Sequence, residues 1–119
     1  IQFEKSKSYI DLNNFDFSEK VTDPYAGDDD ENELFCDEYA EIISANGHRL
    51  GGYPFFTQTD PREYNEDIQN YVLLLQIDTD DNGGVEIMWG DSGVGNFFIH
   101  PDDLKKRDFS KVLYNWDCY

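Results

Sequence analysis

Positive charge is scarce in this chain. Lys and Arg together number 9 against 26 Asp and Glu, a formal net charge of -17 over 119 residues. Such a surface repels phosphate backbones and anionic headgroups, which excludes nucleic acid and membranes as partners. A basic protein or peptide is the polymer it would attract, although plain solubility also accounts for an acidic surface. Long apolar runs are missing too: nothing approaches the roughly 20 residues that span a bilayer. The expectation is a soluble, cytoplasmic protein. The chain opens IQFEK, with neither Met nor a signal-peptide pattern, and is read as a fragment or processed product.

Cysteine is rare as well. Cys36 and Cys118 stand far apart in apolar settings and are expected as free thiols rather than a disulfide. His48 and His100 would complete a four-ligand zinc set, but no pair has metal-ligand spacing, so no cofactor is expected.

Aromatic residues are plentiful: Phe 9, Tyr 8 and Trp 2, enough to supply much of a core. They gather around one stretch, residues 71–100, which reads as a central meander of three strands. YVLLLQID is an apolar run suited to a strand covered on both faces. Val85 to Trp89 alternates, and Val94 to His100 carries Phe97, Phe98 and Ile99.

Before the meander, alternation at Phe15 and Phe17 predicts a half-buried strand after an Asn13-Asn14 turn. SEKVTDPYAG, with Pro24 and Gly27, reads as a mobile connector. The main helix is expected over about 30–45, with Phe35, Tyr39, Ile42 and Ile43 on one face and Gly47 as its stop. Its acidic start, Asp28 to Glu33, suits either a docking patch or an ordinary charged first turn. Asp60-Pro61-Arg62 is a turn. After the meander, Pro101, Asp102 and Asp103 open a short helix over about 101–108, closed by Lys105, Lys106 and Arg107. KVLYNWDCY alternates and forms a C-terminal strand. The fold class is therefore α+β, mainly an antiparallel β-sheet, in a single domain.

Two stretches imitate catalytic or metal motifs. GDSG at 90–93 matches the surroundings of a serine nucleophile, but no base motif accompanies Ser92, and a hairpin turn uses the same residues. DTDDNGGVE places Asp78, Asp80, Asn82 and Gly83 at calcium-loop positions; Trp89 then occupies the position that needs a bidentate carboxylate. The alternative function is a Ca²⁺-binding regulatory domain or small hydrolase using Asp78, Asp80, Glu86 and Asp91. The leading expectation is a non-enzymatic protein-binding domain, with a groove built from Gly51, Gly52, Tyr53, Pro54 and Phe55 together with Trp89, Asp91 and Asn96.

GHRLGGYPFFTQTDPR, LLLQID, IMWGDSGVGNFFI and DFSKVLYNWDCY together resemble the bacterial YwqG-like family over about Gly47 to Tyr119. Members of that family are longer, so the resemblance implies that this chain is the C-terminal portion of such a domain. It further implies an antiparallel-rich α+β fold with no established enzymatic activity. The family is distantly related to proteins of the programmed-cell-death-protein-two type, chaperones for a basic ribosomal protein, and has members among immunity proteins of toxin systems. Both roles imply binding of a basic client or toxin.

Overall fold

The apolar run after Asn70 sets the architecture. A computed structural model describes residues 2–22 and 29–119. Strands β1 (Arg49–Leu50), β2 (Val72–Asp78), β3 (Val94–Ile99) and β4 (Leu113–Asp117) form one sheet in the order β1-β2-β3-β4, each neighbouring pair antiparallel. Helices α1 (Phe17–Lys20), α2 (Asp29–Ile42) and α3 (Pro101–Lys106) complete the expected α+β fold. Among the described residues no helix is long and apolar enough to cross a membrane.

The central meander differs from expectation in its middle member. Val85 to Trp89 forms no ladder; Asp80 and Ile87 make an isolated bridge, and β2 pairs directly with β3. Gly83 and Gly84, at φ +72 and +80, turn the chain, and Trp89 then lies over Gly95 instead of extending a strand. Nor is β2 covered on both faces, since Val72 is 39% exposed.

Register assigns the faces. Leu73 pairs with Phe98 but Leu75 pairs with Phe97, so Leu74 is an extra residue, a β-bulge. The bulge turns Leu73 inward and Leu75 outward, which strict alternation would forbid. Leu73, Phe56 and Phe98 are buried together as the core, flanked by Tyr71 and Leu113.

The expected strand at Phe15 and Phe17 is instead a turn leading into α1. Asn13 N–H donates to Asp11 Oδ2 and Asn14 N–H to the Asp11 carbonyl, local bonds that compete with an extended chain. Helix α2 ends at Ile42, before Gly47, and Ile42 is 79% exposed. The Phe35 and Tyr39 rings touch, Tyr39 meets Phe17, and its hydroxyl donates to the Ile10 carbonyl. Gly47 (φ +96) serves the turn into β1, donating to Asp78 Oδ2 at 2.7 Å. The connector's Pro24, Gly27 and Asp28 lie outside the described residues.

At α3 the sequence signals act as expected. His100 Nδ1 accepts from Asp102 N–H at 3.0 Å, Pro101 follows, and Arg107 takes the left-handed C-cap conformation.

Candidate functional site

The covered face of the sheet combines the apolar core residues Leu73, Phe98 and Leu113 with one polar row. That row is Arg49, Gln76, Asn96 and Asn115, one residue from each strand in direct register. Three members of this row, Arg49, Gln76 and Asn96, tie down the chain on either side of β1. Gln76 Oε1 accepts from Phe55 N–H at 2.7 Å, while its Nε2 donates to the carbonyls of Ala45 (2.9 Å) and Gly47 (2.8 Å). Asn96 Nδ2 donates to the Phe55 carbonyl at 2.8 Å, and Arg49 reaches Ser8 Oγ and the carbonyls of Tyr53 and Asn46. Gln76 and Asn96 have no exposed surface, and the bonds from Gln76 and from Asn96 Nδ2 pair backbone groups that would otherwise be buried alone, while Asn96 Oδ1 is itself buried without a partner among the described residues.

The opposite face carries the next row, Leu50, Leu75, Phe97 and Tyr114, again one from each strand. Beside it run Ile77, Gly95 and Trp116. Leu50 is 62% exposed, Tyr114 46% and Trp116 47%. Tyr114 sits between Phe97 and Trp89, with ring centroids 5.1 and 5.9 Å away. Apolar side chains thus meet solvent across the full width of the sheet, and a contiguous patch of this kind marks an interaction surface more often than isolated exposed residues do.

These faces divide the groove expected from sequence. Gly51 and Gly52 take positive φ, and a Cβ at Gly52 would come within 2.8 Å of Ser8. Tyr53 N–H donates to Ser8 Oγ, Pro54 is buried, and Phe55 is clamped by Gln76 and Asn96. This stretch and Asn96 therefore belong to the covered side. Trp89 lies on the other side, over Gly95, and Asp91 is exposed on the adjoining turn. Adjacent strand residues point to opposite faces, so Trp89 and Asn96 cannot line one groove.

The acidic loop is tied up internally. Asp78 accepts from the N–H groups of Gly47 and Thr79; Asp80 accepts from Asn82 and meets His48 Nε2 at 3.0 Å. Hydrogen bonds from Asn82 and His48 hold the Asp80 carboxyl below its ordinary range. Glu86 is exposed. Among the described residues no three His, Cys, Asp or Glu groups converge as metal ligands, and Cys36 and Cys118 are free, half-buried thiols. Ser92 sits at φ +58 on an exposed turn. The imidazoles are engaged elsewhere: His48 Nδ1 accepts from Asp78 N–H, and His100 meets Asp102 and Asn70. The glycines of GDSG serve packing, since a Cβ at Gly93 would strike the Asp117 carbonyl and one at Gly90 the Trp116 ring and Cys118 Sγ. Asp29 to Glu33 form the exposed start of α2.

One buried site escaped the sequence reading. Arg62 and Asp60, expected only as turn residues, form a bidentate ion pair at 2.9 and 2.7 Å, with Asp60 fully buried. Arg62 also donates to Asn14 Oδ1 and the Tyr71 carbonyl, and its guanidinium lies over the rings of Phe15 and Phe98. Asp60 as N-cap before Pro61 is legible in the sequence. Its burial depends on partners distant in the chain. Every ligand of this pair is internal, which makes it an architectural tie.

The site is thus a four-stranded antiparallel sheet with one face covered by the flanking chain and a row of partly exposed apolar side chains on the other. The chain belongs to the family described as a domain of unknown function (DUF1963), whose model matches residues 1–118. No curated protein matches it.

Proposed function

We propose that this domain is a non-catalytic protein-binding module that takes a basic protein or peptide onto the open sheet face. The observation that carries the reading is the apolar row on the open face: Leu50 on β1 and Tyr114 and Trp116 on β4 meet solvent, while Gln76 and Asn96 on the two central strands are wholly buried on the other face. Net charge of -17 selects the partner's sign and would accelerate its capture. The segment that delivers Trp89 to this face also carries Asp80, Asp81, Glu86 and Asp91. Within the family, the resemblance to YwqG-like proteins favours an escort or immunity role toward a basic client or toxin. No observation favours the Ca²⁺-binding or hydrolase alternative, because the loop carboxylates Asp78 and Asp80 are engaged by backbone and His48.

The test is calorimetric titration with a Lys/Arg-rich peptide that also carries Leu and Phe. Binding is expected at about 20 mM salt and should weaken at least tenfold by about 200 mM. A Leu50→Ser/Tyr114→Ser variant should fold normally and lose the interaction. Equal affinity in that variant, or no binding at low salt, would overturn the proposal.

A further inference from the structure

The two edges of the sheet are not equivalent. At one end β1 spans only Arg49–Leu50, and a very short edge strand offers little to an incoming chain. At the other end β4 is five residues long, LYNWD, in unbroken register with β3 from Leu113↔Phe98 to Asp117↔Val94. It pairs on one side alone: among the described residues no strand lies beyond it. Of the devices that usually protect such an edge, β4 contains no Pro, no Lys and no bulge; its one charge, Asp117, is its last residue, where Gln58 donates to the Asp117 carboxylate and to the Cys118 carbonyl. Half its backbone hydrogen-bonding groups therefore face outward.

We infer that β4 is a docking edge for strand addition by an extended basic segment of the partner, a mode of recognition that rests on the function proposed above. Two observations name the occupant. Tyr114 and Trp116, two residues apart on β4, turn half-exposed rings to the open face. An added strand would extend the Tyr114 row to a fifth position and the Trp116 row to a fourth, and an Arg or Lys on that side would lie against an aromatic face. The second observation is charge. Another copy of this chain would bring a further -17 to the same edge, whereas a basic strand lowers the field. Lys105, Lys106, Arg107 and Lys111 precede β4, while Asp117 ends it and Asp91 sits on the turn whose Gly90 packs against Trp116. The occupant's cations accordingly gather at the Trp116 end.

The experiment uses the chain as it stands, labelled with ¹⁵N, and two 12-residue probes. One alternates Arg and Val; the other is identical but N-methylated at four consecutive central residues, which blocks both edges of a strand. The first should shift the amide signals of Leu113 to Asp117 and slow their hydrogen exchange. The second should bind at least about tenfold more weakly, the effect of losing two or three backbone hydrogen bonds. Equal binding of both probes overturns strand addition and leaves basic-peptide binding intact. Binding of neither at low salt overturns both readings. Equal binding of a Glu-Val alternating peptide overturns the basic occupant, and a dimer in solution whose interface covers Leu113 to Asp117 replaces it with a second copy.

Discussion

Trp89 roofs Gly95. A Cβ added at position 95 would fall 2.6 Å from Trp89 Cζ2 and 2.8 Å from its Cε2, far inside van der Waals contact. The next residue, Asn96, points the other way and donates to the Phe55 carbonyl. One peptide unit of β3 thus separates an aromatic surface from a polar clamp. Gly95→Ala must displace the indole or the backbone beneath it, at about 1–3 kcal/mol of stability. Urea denaturation followed by circular dichroism measures this. An unchanged midpoint would mean that Trp89 leaves the face freely.

Arg62 neutralises Asp60 where neither is more than slightly exposed. Arg62→Met removes the cation and leaves a buried carboxylate alone, an expected loss of about 3–5 kcal/mol. Adding Asp60→Asn should recover part of that loss. If the double variant is no more stable than Arg62→Met, the penalty comes from packing against Phe15 and Phe98 rather than from charge.

Arg107 occupies the left-handed region at φ +58, where its N–H caps α3 on the carbonyls of Asp103 and Leu104. Glycine adopts this conformation without a Cβ clash. Arg107→Gly should therefore stabilise the fold by about 0.5–1 kcal/mol despite the lost side chain. Thermal melts of the two proteins decide it, and a lower midpoint for the glycine variant refutes it.

Asp11 lies in the cleft beside Tyr39, Ala45 and Phe55. Burial raises its carboxyl above the ordinary 3.8, only partly opposed by hydrogen bonds such as the one from Asn13 N–H. The folded state then holds this proton more tightly than the unfolded chain. Its contribution to stability is largest below the unfolded value and falls as pH rises through the folded one. Asp11→Asn, which keeps an acceptor for Asn13, should gain on the wild type across that rise and run parallel above it. Urea midpoints of both proteins at a series of pH values give the difference, which should not be flat.

Much of the fold is readable where local chemistry decides it. Pro101, the Asp pair and the basic residues after it specify α3 by capping and dipole alone. The C-terminal strand follows from alternation in VLYNWDC. The failures have a common cause in non-local choices. Leu73-Leu74-Leu75 has no alternation, so nothing in it announces which leucine is extra. Val85 to Trp89 alternates like a strand, yet its tryptophan packs over Gly95. For the site, the aromatic density at Trp89, Phe97, Tyr114 and Trp116 is visible in the sequence, and these residues do share a face. Phe55 and Asn96 look equally available, but Gln76, itself a lone polar residue in an apolar strand, draws that segment inward. An isolated glutamine in such a run is the signal that something polar will be laid across it.

The extra leucine has a further consequence for how the molecule can change. Because the strand resets its handed pattern at Leu74, the two ends of β2 answer to different neighbours, Phe98 before it and Phe97 after it. Deleting that single residue would leave Leu73 opposite Phe98 and Leu75 opposite Phe97 as immediate neighbours, so both ends would keep their faces in plain alternation and the ladder would run without its kink. Position 74 thus shapes the strand's bend and twist rather than the assignment of its faces.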